Sequence, residues 1–214
     1  MIQLHPFEES AGSIPYQYRH SRFIGALVMW LQPETVVEVG THIGATAVWI
    51  ARALQLMGKG RLYCVDPFCW TEEYQEEQWE ANLTLCGVRD WATLIKGRSQ
   101  EVEWPERVDF AYIDGNHTYD VCKHDVEKAV KLGATLIAIH DTVSWEGSRK
   151  FSEEMRAWEG WDFLEENSEC GLLVARKREP KPACDGLDIG EKWDTPTEEV
   201  ENRRRGRPMK QVVG

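Results

Sequence analysis

At 214 residues with 42% apolar side chains, the chain is long enough for one domain with a buried core and a terminal extension. Its formal charge of −11 argues against a general polyanion binder, because nucleic-acid binding draws on a cationic surface. No run approaches the roughly 18 continuous apolar residues of a membrane span. Residues 1–30, with Glu8, Glu9, Arg19 and Arg22, lack the layout of a secretory signal, so the chain reads as soluble and cytoplasmic.

From Tyr16 to Leu31 the apolar spacing predicts a helix with Phe23, Leu27 and Leu31 on one face. A buried strand, Thr35 to Val39, follows, then an almost wholly apolar helix over 45–57 that stops near Gly58. A second strand from Arg61 to Val65 ends at Asp66-Pro67. Residues 72–86 read as an acidic helix with Tyr74, Trp79 and Leu83 available for packing, and Trp91 to Ile95 as a third strand. Val108 to Ile113 and Ala134 to Ile139 are short runs rich in β-formers, suited to burial on both faces. Between them lies a helix that Thr118 or Asn116 can cap, with Cys122, Val126, Ala129 and Val130 on its apolar face and Gly133 beyond its end. A helix over 147–159 and strands near 161–165 and 171–176 close the pattern. The alternation predicts an α/β three-layer sandwich around a seven-stranded, mainly parallel sheet. The last two strands are too close for a crossover helix and must form an antiparallel hairpin. This domain spans 1–178. Residues 179–214 mix Pro, Gly and charge with little periodic apolar content and read as a flexible extension; NRRRGRP at 202–208 is better taken as solvated or partner-docking than as a minor-groove element.

The six cysteines form no CxxC pair, and Cys64 and Cys122 fall on predicted core faces, so free buried thiols are expected. The ten tryptophans are assigned to packing.

Two strands end in chemistry-bearing residues. Asp114 and His117 follow the run to Ile113, and His140-Asp141 closes the run to Ile139. In an open parallel sheet ligands bind at the carboxyl ends of strands, so these ends describe a site. The first strand-to-helix turn, VVEVGTHIGAT at 36–46, offers Gly40 and Gly44 for close backbone approach and a helix N-terminus. His42 stands where a dinucleotide fold wants a glycine that admits a pyrophosphate, which disfavours nicotinamide and flavin cofactors. A smaller nucleoside fits: Asp66 is placed to accept from both ribose hydroxyls, and Glu38 to orient an ammonium group directly or through water. S-adenosylmethionine carries both groups.

Residues 20–176 resemble the class I S-adenosylmethionine-dependent methyltransferases. More narrowly, they resemble the branch joining catechol-type small-molecule O-methyltransferases to macrolide sugar O-methyltransferases and cephalosporin hydroxylase-like proteins, which implies a Rossmann-like sandwich. VVEVGTHIGAT, YCVDPF, VDFAYIDGNHTYDVCKHDVEKAV and LGATLIAIHD carry that likeness, in the family's order. The resemblance implies that Glu38, Gly40, Thr41 and Gly44 form the cofactor turn, Asp66 binds ribose, Ser99 borders adenine and Asp114 adjoins the cofactor. It also implies that Asp114, His140 and Asp141 hold a divalent cation and that His117 is the general base. His140 departs from the acidic residue that several metal-dependent sugar methyltransferases carry there.

Methyl transfer from a sulfonium is an in-line displacement that requires alignment, exclusion of water and removal of the acceptor's proton. His117, with an ordinary pKa of about 6.5, can take that proton; its bland alternative is a loop imidazole. Two aspartates suit Mg²⁺ or Mn²⁺, and an imidazole moves preference toward Mn²⁺ or softer ions; alternatively Asp141 caps the following loop. The expected acceptor is a hydroxylated small molecule, with sugars, phenols and glycan ends all open, as is the oligomeric state. Trp145, Tyr119 and Trp70 offer flat surfaces to such a molecule. The rival readings are a metal-dependent oxygenase or hydrolase on the same sheet, and a non-catalytic domain that retains the cofactor pocket.

Overall fold

The computed structural model describes residues 15–69, 74–167 and 170–179. Within it, α1 (Pro15–Leu31) leads into β1 (Thr35–Val39), α2 (Ala45–Met57), β2 (Arg61–Asp66), α3 (Gln75–Leu85) and β3 (Ala92–Lys96). Then come β4 (Phe110–Ile113), α4 (Tyr119–Lys131), β5 (Leu136–His140), α5 (Glu146–Met155), β6 (Trp161–Glu166) and β7 (Leu172–Lys177). Trp70, the segment before Pro15 and nearly all of the expected extension lie outside the described residues. Among the described residues no helix is long and apolar enough to cross a membrane.

The seven strands form one sheet in the order β3-β2-β1-β4-β5-β7-β6. Strands β1 to β5 pair in parallel. The last two form the expected antiparallel hairpin, and β7 inserts between β5 and β6, antiparallel to both. Strand order reverses between β1 and β4, and at such a switch the diverging connections leave a crevice beyond the carboxyl ends.

Alternation along each strand divides the core in two. Val36, Leu62, Phe110, Leu136 and Ala138 pack against α1, α2 and α3, while Val37, Ala111, Ile137 and Ile139 pack against α4 and α5. Every residue of β4 and β5 is buried, so their continuous apolar runs fill both layers.

Three details differ from expectation. On α1 the fully buried stripe is Ile24 and Val28, with Phe23, Leu27 and Leu31 only partly covered. His20, one turn before Ile24, is therefore turned inward. Tyr74 is exposed at the left-handed residue preceding α3, and Gln75 takes the buried place beside Trp79 and Leu83. Helix α5 ends at Met155, because the chain closes a turn through Trp158 N–H to the Met155 carbonyl and folds Trp158 edge-on against Phe151 and Trp161.

Candidate active site

A cavity of about 830 Å³ opens at the switch point, its wall including Gly40, Asp66, Ser99, Asp114, His117 and Trp145. Such a volume is within the range of small-molecule sites. Strands β1 to β4 thus bring five of the predicted residues to one space.

The turn after β1 is shaped by close packing. Gly40 has a φ of +83°, and a Cβ there would sit 2.2 Å from the Asp114 carbonyl oxygen, so glycine allows the β1 and β4 ends to touch. Gly44 does not line the cavity. It precedes α2 in a left-handed conformation, and an added Cβ would press on Leu83 and Trp79. Thr41 and Glu38 lie one layer behind the wall. The buried Thr41 hydroxyl donates to Glu38 Oε2 at 2.7 Å and accepts from Trp79 Nε1–H at 3.0 Å, while Cys64 Sγ lies 3.4 Å from the same carboxyl oxygen. Burial raises the Glu38 pKa to about 8, against the opposing effect of these bonds and with help from the negative charges of Asp114 and Asp66. The carboxyl is protonated over much of the neutral range.

Asp66 ends β2 with each oxygen accepting a backbone N–H, Oδ2 from His42 at 2.8 Å and Oδ1 from Phe68 at 2.7 Å. These bonds fix the carboxylate and leave further lone pairs toward the cavity. Ser99 is held from behind: Lys128 on α4 donates to the Ser99 and Val102 carbonyls at 2.7 and 2.8 Å while resting over the Trp104 ring. Asp125, one turn earlier on α4, is fully buried, and burial raises its pKa despite a hydrogen bond with Ser99. Gln75 also lines the cavity, and its buried Nε2 has no hydrogen-bond partner among the described residues. Nothing in its acidic surroundings in the sequence marked it.

The ends of β4 and β5 carry the densest polar grouping. Ile113 pairs with Ile139, so Asp114 and His140 emerge side by side. His140 Nδ1 lies 3.0 Å from Asp114 Oδ1, and the Tyr112 hydroxyl donates to Asp114 Oδ2 at 3.1 Å. On its other nitrogen His140 meets His20 Nδ1 at 2.9 Å, and His20 Nε2 lies 2.6 Å from Glu166 Oε2. Burial alone would lower the His140 pKa, but the charge and hydrogen bond of Asp114, joined by Asp141, raise it to about 10. A protonated His140 donates in both directions, to Asp114 and to His20, and His20 in turn donates to Glu166. His20 and Glu166 were not anticipated. The readable signal was a histidine on the inward stripe of α1.

Asp141, at φ 59°, turns the chain away from β5. Its Oδ2 lies 3.2 Å from His117 Nε2, and its Oδ1 accepts from the Ser144 hydroxyl at 2.9 Å, so the loop-capping role and the contact with His117 coexist. Burial would raise the Asp141 pKa, but the His140 hydrogen bond and the charges of His140 and His117 hold it below the usual carboxylate range. His117 stacks on Trp145, ring centroids 5.1 Å apart and planes 22° from parallel. Gly147, in the first turn of α5, makes this possible: a Cβ there would lie 2.2 Å from the His117 carbonyl oxygen and 2.4 Å from Tyr119 N. Asn116 accepts from Thr118 N–H at 2.9 Å and tightens the turn before α4.

Among the described residues, two groups bring ligand atoms within 4.8 Å of one another, Asp114 with His117 and Asp141, and His140 with Asp141 and Cys170. His140 also meets Asp114 at Nδ1 and His20 at Nε2, so it would have to give up one of these contacts to take an ion.

Residues 37–142 match the family model of a methyltransferase domain. No curated protein sequence matches the chain at a significant level. Among similar solved structures is the O-methyltransferase TomG from Streptomyces achromogenes, involved in tomaymycin synthesis and determined with SAM. It has 20% identity and a TM-score of 0.61, with 75% of this chain and 80% of that one covered. An O-methyltransferase from Bacillus cereus in complex with SAH has 20% identity and a TM-score of 0.61, with 75% and 81% covered. A methyltransferase from Geobacter sulfurreducens has 18% identity and a TM-score of 0.63, with 84% and 92% covered. With the family match running from β1 to the end of β5, the same stretch that supplies most of the cavity wall, the chain belongs to the class I S-adenosylmethionine-dependent methyltransferases.

Proposed function

We propose that this enzyme transfers the S-adenosylmethionine methyl group to a hydroxyl of a small molecule, a phenol or sugar, with His117 removing the acceptor's proton. One observation carries the reading: His117, its Nε2 3.2 Å from Asp141, lines the same cavity as Asp66 and Gly40. That two similar structures are O-methyltransferases, one with SAM and one with SAH, supports oxygen as the acceptor atom.

The cofactor supplies an electrophilic methyl carbon on a sulfonium. In this reading Asp66, its carboxylate preset by two backbone N–H groups, accepts from the ribose diol. Gly40 keeps the turn after β1 low enough for the cofactor to lie across the strand ends, and Ser99 and Gln75 offer polar groups at its border. Glu38 acts from behind the wall, through Thr41 or an intervening water, on the amino acid moiety. His117 accepts the acceptor's proton at Nδ1, and Asp141, facing Nε2, holds the ring and stabilises the resulting imidazolium; general-base assistance of this kind is worth roughly 10²–10⁴-fold. Trp145 braces the opposite face of the imidazole and, being 48% exposed, presents its edge to an incoming ring.

Asp114, His117 and Asp141 would hold a divalent ion, which would lower the acceptor's proton affinity. The base role for His117 is favoured by the hydrogen bonding: both Asp114 oxygens and both Asp141 oxygens already face a protein donor or imidazole nitrogen. The test is calorimetry with S-adenosylhomocysteine, followed by tritiated-methyl transfer to catechol, phenol and methyl glycosides. His117→Ala should reduce turnover on the best of these by about 100-fold while leaving cofactor affinity within about twofold. A wild-type protein that binds neither S-adenosylmethionine nor S-adenosylhomocysteine refutes the proposal.

A further inference from the structure

The row of strand ends that carries Asp114 continues across the sheet to a part of the molecule outside the family match. His140 is in register with Leu172 of β7, and Leu172 with Glu166 of β6, so His140 and Glu166 stand on the same face with one strand between them. Neighbouring strands are about 4.8 Å apart, which leaves a gap of about 10 Å between the two backbones. The imidazole of His20, descending from α1, fills that gap and completes the series Asp114, His140, His20, Glu166 with contacts of 3.0, 2.9 and 2.6 Å. His20 and His140 are 2% and 4% exposed.

We propose that His20 and Glu166 are positioning residues for methyl transfer: together they fix the ring of His140 and, through it, the Asp114 carboxylate at the cavity wall. The inference rests on the methyltransferase reading of that cavity. An imidazole held at Nδ1 alone can rotate about its Cβ–Cγ bond and exchange a nitrogen for a carbon at the carboxylate. The partner at Nε2 removes that freedom, and His20 is an effective partner only because Glu166 orients it in turn. Asp114 is thereby held by His140 on one oxygen and Tyr112 on the other, while its carbonyl oxygen packs against Gly40 at the turn after β1. The Glu166 side chain is 42% exposed, so its hydrogen bond with His20 adds little to stability. Orientation of the buried ring is the physical role left to it. Helix α1 on this account supports the active site from behind its wall.

The test uses the full chain with His20→Leu, His20→Gln and Glu166→Ala. Glutamine carries an oxygen and an N–H with nearly the spacing of the imidazole nitrogens, so it can accept from His140 and donate to Glu166. Wild type should show a slowly exchanging His140 Nδ1–H resonance, which should disappear in His20→Leu and return in His20→Gln. Turnover on the best acceptor of the catechol, phenol and glycoside panel should fall about 10- to 100-fold in His20→Leu and recover largely in His20→Gln. It should fall about threefold or more in Glu166→Ala, which alters an exposed side chain and leaves the core packed. S-adenosylhomocysteine affinity should stay within about twofold throughout. Persistence of the resonance in His20→Leu, or undiminished turnover without it, overturns the proposal. So does a His20→Gln variant no better than His20→Leu. Failure of wild type to bind S-adenosylhomocysteine would instead strike the methyltransferase reading and leave the resonance test standing.

Discussion

Replacing Glu38 by Gln should flatten the pH dependence of stability in the cofactor-free enzyme. Glu38 is 1% exposed, and burial raises its pKa from 4.5 to about 8. Between those values the unfolded chain has released the proton and the folded chain retains it, so the folded state binds more protons and stability falls as pH rises. At about 1.36 kcal/mol per pH unit, the Glu38 contribution worsens by roughly 3 to 4 kcal/mol between about pH 5 and pH 8. Glutamine keeps an acceptor for the Thr41 hydroxyl and never ionises, so any packing cost it brings is the same at every pH. His140 complicates the wild-type curve in a calculable direction. Its pKa rises from 6.5 to about 10, so its favourable contribution is complete below about 6.5 and is lost as pH climbs toward 10. That loss is common to both proteins and cancels in the difference. Urea denaturation of the two proteins at intervals from about pH 5 to pH 8 gives the measurement, and the variant should gain steadily on the wild type. Parallel curves, with a difference constant to within about 1 kcal/mol, would show that Glu38 is ionised in the fold and refute the reasoning.

Asp66→Ala removes the anchor for His42 N–H and Phe68 N–H along with the proposed diol acceptor, so the S-adenosylhomocysteine dissociation constant should rise at least about tenfold by calorimetry. An unchanged constant would dissociate Asp66 from the cofactor. Exhaustive chelation with EDTA should leave turnover within about twofold if His117 is the base; a loss that Mn²⁺ restores would transfer His117 from base to ligand. Gly147→Ala sets a Cβ against the backbone of residues 117–119, where only the chain itself can move, so it should cost about 1–3 kcal/mol of stability and lower turnover by an order of magnitude or more. Full activity would show that α5 can retreat without disturbing His117.

The sheet was legible because its signals are local. Strands β4 and β5 are buried at every position, and short continuous apolar runs bounded by turn residues suit strands covered on both faces. The left-handed Gly40 and the acid ending β2 were legible for a similar reason, since a close backbone approach and a strand terminus leave marks a few residues long. What escaped depends on contacts distant in sequence. His20 is 120 residues from His140 and 146 from Glu166, and only the insertion of β7 between β5 and β6 brings all three to one row. The same distance explains His140: the sequence shows a histidine beside an aspartate, which suits a metal ligand, and cannot show that the far nitrogen already has a partner. Glu38 was correctly placed near the end of β1, but its position behind the cavity wall goes with Thr41 and Cys64, which contact it, and with Trp79, which donates to Thr41 from a distant segment.

Asp114 joins the two halves of the site, and this helps explain why cofactor class reads from the chain while acceptor identity does not. On the cofactor side its backbone presses against Gly40, and the neighbouring Asp66 is locked by two main-chain donors, so this half is determined by backbone geometry that tolerates few residue types. On the acceptor side the wall is built of side chains. Trp145 is half exposed, and His117 is kept in place by stacking on it and by a single carboxylate. Such a wall can change its shape by substitution at Trp145 or Glu146 without disturbing the fold, because neither holds any strand in register. On the proposed reading, a site divided in this way can keep one cofactor while admitting different acceptors, with the turn between β5 and α5 as the proposed seat of specificity.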